Sequence, residues 1–149
     1  MTHPVHAVAN ICRDVEGAPE LILDSYNLAV VWDDTIDREK SEPVGEVHKA
    51  FEFASYGMHE NPFMKTHPEL MLMLKVAIIN WKTANALQIA GGRENLAMAY
   101  GLRCSPYDFF VAVTLLAKGQ KEAERAAVIL RGADTPEDSF NSFIGEHGR

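Results

Sequence analysis

Residues 70–92, LMLMLKVAIINWKTANALQIAGG, decide the fold, because they form the longest mostly apolar stretch of the sequence. At about 100° per residue, the apolar side chains cover most of the circumference of a helix. Only Lys75 and Lys82 mark a narrow polar stripe. The Gly91-Gly92 pair ends the helix, because glycine takes a positive φ without strain. The sequence therefore predicts a central helix, apolar on nearly all sides, at about residues 68–90.

Helix start and stop signals recur on both sides of this stretch, whereas strand signals are nearly absent. Thr66, Ser105 and Thr135 each precede a Pro-containing first turn with an acidic residue, which predicts three capped helix starts. The chain has 149 residues and is 47% hydrophobic, which is enough for one core. We predict an all-α single domain over 1–149, a bundle of six or seven helices. The short, Gly-rich segment 133–149 is expected to fray or to dock on a partner.

An all-round apolar helix is hard to bury within so small a chain, and this predicts a homo-oligomer in which a second copy covers part of it. Asn80 lies among Met73, Val76 and Ala84 on this helix, and it is expected to be buried. A single amide in such a place more often fixes helix register or oligomer pairing than binds a ligand.

Charge and composition exclude several classes of function. The net charge is −7, with 13 acidic and 5 basic residues over 1–69, and 8 acidic and 9 basic residues over 70–149. Without a basic stripe, nucleic-acid binding is disfavoured. No apolar run reaches the roughly 18 residues of a membrane span, and the absence of a secretory signal predicts a cytoplasmic protein. Cys12 and Cys104 have no metal-site spacing, and histidines near the termini, such as His3, are expected to be exposed.

Residues 30–40, VVWDDTIDREK, are the one stretch that suggests chemistry, because they place several acids at the end of a helix. Helical projection puts Asp34 on a solvent-facing polar stripe. Asp33 and Asp37 lie one turn apart on the face that carries Tyr26 and Ala29. Acids near the carbonyl end of a helix cost typically a few tenths of a kcal/mol to about 1 kcal/mol each, so a cation is expected beside them.

Three sources could supply this positive charge. The bases nearby in sequence, Arg38, Lys40 and Lys49, could form exposed pairs worth about 0–1 kcal/mol. A more buried arginine from the second half, Arg93 or Arg103, could reach across the fold. The third source is Mg²⁺, which prefers carboxylate oxygens together with the phosphates of a substrate.

Asp33-Asp34-Thr35-Ile36-Asp37 resembles the DDxxD motif of class I isoprenoid and terpene synthases. In those all-α enzymes, the motif holds Mg²⁺ bound to a substrate diphosphate. The second metal motif of these enzymes has no match, since Asn80 is followed by Ala84 and Gln88 where a hydroxyl residue and a glutamate are needed. The resemblance therefore covers five residues and assigns no family.

A second class of helical enzymes, the MazG-like nucleotide pyrophosphohydrolases, is similar in size and in its use of carboxylates to hold magnesium. Glu39 and Glu42 have the spacing of its ExxE pair, but no ExxD pair follows them. The motif is incomplete, and this family is not assigned either.

Two functional hypotheses follow. The favoured one is a non-catalytic helical assembly or interaction protein, whose acids are solvated and whose apolar helices form the oligomer. The alternative is an enzyme in which Asp33, Asp34 and Asp37 hold Mg²⁺ against a phosphate- or diphosphate-bearing small molecule, with Arg93 or Arg103 neutralising the phosphate. No nucleophilic triad is recognisable, because the chain lacks GxSxG and Ser105 is explained as a helix cap.

Overall fold

The structure is a computed structural model that describes residues 3–37, 43–132 and 136–147. Within these ranges the chain is helical almost throughout and contains no strand, which confirms the predicted all-α class. The described ranges hold the helices α1 (Val5–Ile11), α2 (Ala18–Asp37), α3 (44–60, with a π-helical turn over Phe53–Gly57), α4 (Pro62–Thr66), α5 (Leu70–Ala90), α6 (Arg93–Leu102), α7 (Ser105–Lys118), α8 (Gln120–Arg131) and α9 (Pro136–His147).

The short helix α4 is not among the predicted helix starts, and it accounts for part of the excess over the predicted six or seven helices. Asn61 begins it: the side-chain oxygen accepts hydrogen bonds from the backbone nitrogens of Phe63 and Met64 at 2.9 and 3.0 Å. The Asn61 side-chain nitrogen donates to the carbonyl oxygen of Gly17 at 2.9 Å. Gly17 has a φ of 81°, and a Cβ at this residue would lie 2.8 Å from the Phe63 backbone nitrogen. Asn61 therefore joins α4 to the loop between α1 and α2.

Two of the three predicted helix caps are wrong. The Thr66 hydroxyl ends α4 by donating to the Pro62 carbonyl at 3.0 Å, and α5 begins at Leu70 without a side-chain cap. The Ser105 hydroxyl donates to the Leu102 carbonyl at 2.6 Å and caps no α7 backbone nitrogen. In each case a carbonyl of the preceding helix competes for the hydroxyl. Thr135 lies outside the described residues.

The Gly91-Gly92 pair ends α5 as predicted, with φ values of 76° and 90°. Gly119 separates α7 from α8 with a φ of 92°. These conformations carry a steric cost for residues with a Cβ, so glycine favours the connections between α5 and α6 and between α7 and α8.

The core consists of two clusters. The larger one takes buried residues from all of α1 to α5 and from α7 and α8, and Phe109 and Phe110 of α7 are its largest fully buried side chains. The smaller one joins α5, α6 and α9 around Trp81, Leu96 and Phe143. In this cluster the Trp32 and Trp81 rings meet edge to face, with centroids 4.2 Å apart, so α2 also contacts α5.

The long helix α5 is central in that both α6 and α7 pack along it. It buries Leu70, Ala77, Trp81 and Ala84 against them. No helix of the described residues is long and apolar enough to cross a membrane. The side of α5 that faces away from α6 and α7 is exposed and apolar. The described residues leave this apolar side of α5 uncovered, and we call it the free face of α5.

The segment predicted to fray or to dock on a partner forms α9, which contacts α6 of the same chain. Tyr100 of α6 packs against Phe140 and Phe143 of α9, with a ring centroid distance of 5.4 Å in both cases. Phe143 is 7% exposed, so α9 contributes a side chain to the smaller core cluster.

Candidate functional site

Arg103 lies at the acidic end of α2. Its Nη2 donates to Oδ1 of Asp33 at 3.4 Å, across 70 positions of sequence. This confirms one of the three predicted sources of positive charge, an arginine from the second half of the chain. The other candidate arginine, Arg93, lies instead over the Phe140 ring at 5.9 Å from its centroid. Arg38 and Lys40 lie outside the described residues.

Arg103 connects four elements of the fold. It follows α6 and contacts Asp33 of α2, and its Nη1 donates to Oε1 of Gln88 on α5 at 3.4 Å. Its guanidinium also lies 5.4 Å from the ring centroid of Phe143 on α9. Its side chain is 23% exposed, so the positive charge sits at an edge between the core and solvent.

The prediction for Asp34 is wrong. Asp34 is expected on a solvent-facing stripe, but it is only 7% exposed. α3 packs against α2, and the stripe that carries Asp24, Asn27 and Asp34 is buried or partly buried. Burial raises the pKa of Asp24 on this stripe, and the positive charge of Lys49 on α3 opposes this rise. Part of the predicted solvent-facing stripe of α2 is therefore covered by the fold.

The magnesium site stays a prediction. Among the side chains that the structure describes, no group of three or more His, Cys, Asp or Glu residues is placed to hold a metal ion. The Asp37 side chain, the third predicted ligand, lies outside those described. Asp33 already has a guanidinium beside it, which supplies the kind of compensating charge that Mg²⁺ was expected to provide.

Asp33 and Arg103 lie at a cleft of about 200 Å³, which we call the polar cleft. Its polar lining comes from three separate parts of the chain, the N-terminus, α2 and the α6–α7 junction, and consists of His3, Tyr26, Asp33, Arg103, Cys104 and Tyr107. Apart from Asp33 and Arg103, none of these residues belongs to a motif that the sequence analysis identifies. The sequence carries no signal for His3 and Tyr107, because they are brought together by tertiary packing alone.

Hydrogen bonds orient the imidazole of His3. The backbone nitrogen of Val5 donates to His3 Nδ1 at 3.1 Å, so Nδ1 acts as an acceptor. The neutral ring then carries its proton on Nε2, which lies 3.4 Å from the Tyr107 hydroxyl. The ring stacks on Tyr26 with centroids 4.5 Å apart. His3 therefore presents an N–H donor toward Tyr107.

Burial changes the proton affinity of two other lining groups. It raises the pKa of the Tyr26 phenol, and the negative charge of Asp34 raises it further. Burial also raises the pKa of the Cys104 thiol, although the positive charges of Arg131 and Arg103 act in the opposite direction. Both groups are therefore protonated at neutral pH and can donate hydrogen bonds.

A second space, which we call the inner cavity, adjoins the polar cleft. It has a volume of about 80 Å³ and is lined mainly by apolar side chains of α2, α5 and α7. Ala29, Trp81 and Pro106 line both spaces. Ser25 also lines the inner cavity, and within the described part of the chain its buried hydroxyl has no hydrogen-bond partner.

No protein family, curated protein or solved structure matches the chain. The likeness of Asp33–Asp37 to the DDxxD motif therefore stays limited to those five residues.

Proposed function

We propose that the protein is a self-assembling helical module in which two copies pair through the free face of α5. The observation that carries this proposal is a row of six exposed side chains, which we call the α5 stripe: Leu72, Val76, Ile79, Thr83, Ala86 and Ala90. The three large members are 67%, 43% and 60% exposed. Contiguous apolar surface of this kind is unusual on a monomer and typical of a protein interface.

The spacing of the α5 stripe supports a helix as the partner. Successive members are separated by four, three, four, three and four residues, which is the alternation of the a and d positions of a coiled coil. The row extends from Leu72 to Ala90 of this 21-residue helix, which is about 27 Å at about 1.5 Å per residue. Two such helices can pack side by side along this length.

The sizes of the side chains favour an antiparallel pair. The large members, Leu72, Val76 and Ile79, occupy the first half of α5, and the second half carries Thr83 and two alanines. In an antiparallel pair each large side chain faces a small one of the other copy, which fills space evenly. A parallel pair would leave a gap along the second half, and lost contacts make such a gap unfavourable.

The polar residues near the centre are compatible with burial in this pair. The Thr83 hydroxyl donates to the Ile79 carbonyl at 2.8 Å, so covering it leaves no donor unsatisfied. Asn80 is half-buried and flanks the stripe next to Ile79. In the antiparallel pair the two Asn80 amides meet near the symmetry axis, where each can donate to and accept from the other. The sequence predicts a buried Asn80, the single chain leaves it half-buried, and pairing through the stripe would complete its burial.

Sedimentation of the purified chain tests the proposal. We expect a species of twice the monomer mass of 16.5 kDa. Ile79→Glu should give monomers, because a carboxylate at the centre of the interface would be buried without a partner. Val128→Glu is the matched control, because Val128 on α8 is 73% exposed but lies outside the stripe. A monomeric wild type, or equal dissociation by both variants, would exclude the proposal.

Disulfide cross-linking tests the orientation. Leu72→Cys and Ala90→Cys are made separately in a Cys104→Ser background and then mixed under mild oxidation. An antiparallel pair gives a cross-link only in the mixture, because residue 72 of one copy faces residue 90 of the other. A cross-link in Leu72→Cys alone indicates parallel helices, since an antiparallel pair separates the two copies of residue 72 by about 27 Å.

A further inference from the structure

We propose that the polar cleft and the inner cavity together bind a short-chain carboxylate, with the carboxylate at Arg103 and the alkyl tail in the inner cavity. This site is separate from the α5 stripe, because none of its α5 residues belongs to the stripe and they centre on the opposite side of the helix: Leu74, Ala77, Ile78 and Trp81. The inference does not depend on self-assembly.

The lining of the polar cleft favours an anionic head group. Arg103 donates hydrogen bonds and cannot accept them. The hydroxyls of Tyr26 and Tyr107 also carry protons, whereas the Cys104 thiol already donates to the Tyr100 carbonyl at 4.0 Å. Asp33 is the one carboxylate among the described side chains that line the cleft. A set in which donors outnumber acceptors is complementary to the oxygens of a carboxylate.

Arg103 can hold a ligand without losing Asp33. A guanidinium carries five N–H donors in a planar fork, which is the geometry that carboxylates accept in a bidentate manner. The Asp33 contact is 3.4 Å long, compared with about 2.8 Å for an optimal charge-assisted hydrogen bond. A ligand carboxylate at bonding distance would therefore make a closer contact with Arg103 than Asp33 does.

The volume of the inner cavity limits the length of the alkyl tail. Its 80 Å³ is about half of the roughly 150 Å³ apolar cavity that admits benzene, so it is too small for an aromatic ring. It suits a chain of about three or four carbons, for which each buried methylene adds about 0.8 kcal/mol of favourable transfer free energy, or roughly fourfold in affinity. Ala29, Trp81 and Pro106 line both spaces, so the proposed ligand would extend from one space to the other past these three residues.

Among the described side chains that line the inner cavity, Ser25 contributes a hydroxyl that has no hydrogen-bond partner. An alkyl tail cannot supply one. Thr83 and Thr114 donate to the carbonyl four residues earlier, at 2.8 and 2.9 Å, and a change of the Ser25 rotamer would give its hydroxyl the same kind of acceptor. The cavity can therefore take up the tail without leaving a buried donor unsatisfied.

Isothermal titration of the full chain with hexanoate tests the proposal. Three compounds serve as comparisons. Hexanol and hexylamine have the same alkyl tail with a hydroxyl or an ammonium head group, and acetate has the carboxylate without the long tail. We expect hexanoate to bind about tenfold or more tightly than each of them, as hydrogen bonds to a charged group predict. If hexanol binds as tightly as hexanoate, the site is an apolar cavity that does not recognise the carboxylate. Tighter binding of hexylamine than of hexanoate would mean that the head group pairs with Asp33. If hexanoate does not bind, the proposed site does not exist. Each of these results overturns the assignment.

Two arginine variants locate the head group. Arg103→Gln should weaken hexanoate binding about tenfold to 100-fold. Arg93→Gln is the matched control, because Arg93 also lies over a phenylalanine of α9 but does not line the cleft. Equal losses in both variants would contradict the assignment of Arg103.

Ala77→Leu tests the tail independently of Arg103. Ala77 lines the inner cavity, and the added carbons fill much of its 80 Å³ while leaving the polar cleft intact. We expect folded protein with at least tenfold weaker hexanoate binding. Unchanged binding to this variant would show that the tail lies elsewhere.

Discussion

Replacing Ile79 by alanine should weaken self-association by about 100-fold. Complete burial of an isoleucine side chain contributes about 1.5–3 kcal/mol, and Ile79 is 60% exposed, so a partner covers a part worth about 1.5 kcal/mol. The antiparallel pair contains the residue twice, which gives about 3 kcal/mol per dimer. Because about 1.4 kcal/mol corresponds to tenfold in Kd, the variant should dissociate at roughly 100-fold higher concentration.

Sedimentation equilibrium over a wide range of protein concentration measures this Kd. Val128→Ala is the control, since it removes a similar side chain that is 73% exposed on α8 and should leave Kd unchanged. The reasoning is refuted if Ile79→Ala has the Kd of the wild type, or if Val128→Ala weakens association equally. Circular dichroism of both variants separates weaker association from loss of the helical fold.

Four further predictions concern stability and the acidic site. Gly17→Ala should lower the free energy of unfolding in urea by about 1–3 kcal/mol, because φ is 81° and the new Cβ meets the α4 backbone; an unchanged midpoint would contradict this geometry. Ser25→Ala should raise the same free energy by up to about 1 kcal/mol, since it removes a buried hydroxyl without a described partner; a clear loss of stability would mean that this hydroxyl is satisfied. Burial raises the pKa of Asp24 in the folded state, so this carboxyl favours folding below its ordinary pKa of about 3.9 and disfavours it as the pH rises through the folded pKa. Asp24→Asn should therefore stabilise the protein at neutral pH and have little effect in acid, and the opposite pH dependence would exclude burial as the cause. Millimolar Mg²⁺ should leave Tm unchanged because Arg103 already neutralises Asp33, whereas a rise abolished by Asp33→Asn with Asp37→Asn would favour the metal site.

Local signals in the sequence predict much of the fold. Gly91 and Gly92 end α5 as expected, because glycine adopts a positive φ without steric cost wherever it occurs. The caps at Thr66 and Ser105 fail because each hydroxyl has a competing acceptor one turn earlier, which the capping pattern does not distinguish. The α4 helix is missed because Asn61 depends on a contact with Gly17, 44 positions away.

The candidate site is predictable only in part. Carboxylates at the C-terminal end of a helix are unfavourable unless a cation lies beside them, and this argument includes Arg103 among the possible partners of Asp33. The same helical projection fails for Asp34, because amphipathicity cannot show that the fold covers part of the polar stripe of α2. His3 and Tyr107 are 104 positions apart, so their contact follows from the packing of the N-terminus on α7 and has no sequence pattern.

The two proposals use opposite sides of α5, so each can be tested by a variant that leaves the other side unchanged. The α5 stripe contains Leu72, Val76 and Ile79, whereas Ala77 and Trp81 point to the core and line the inner cavity. A rigid helix can carry both functions without coupling, so Ile79→Glu should bind hexanoate like the wild type, and Arg103→Gln should remain dimeric. Reciprocal effects would instead require that occupation of the cavity moves α5, because coupling between two sites must act in both directions. Measuring both properties in both variants therefore distinguishes two independent surfaces from one coupled device.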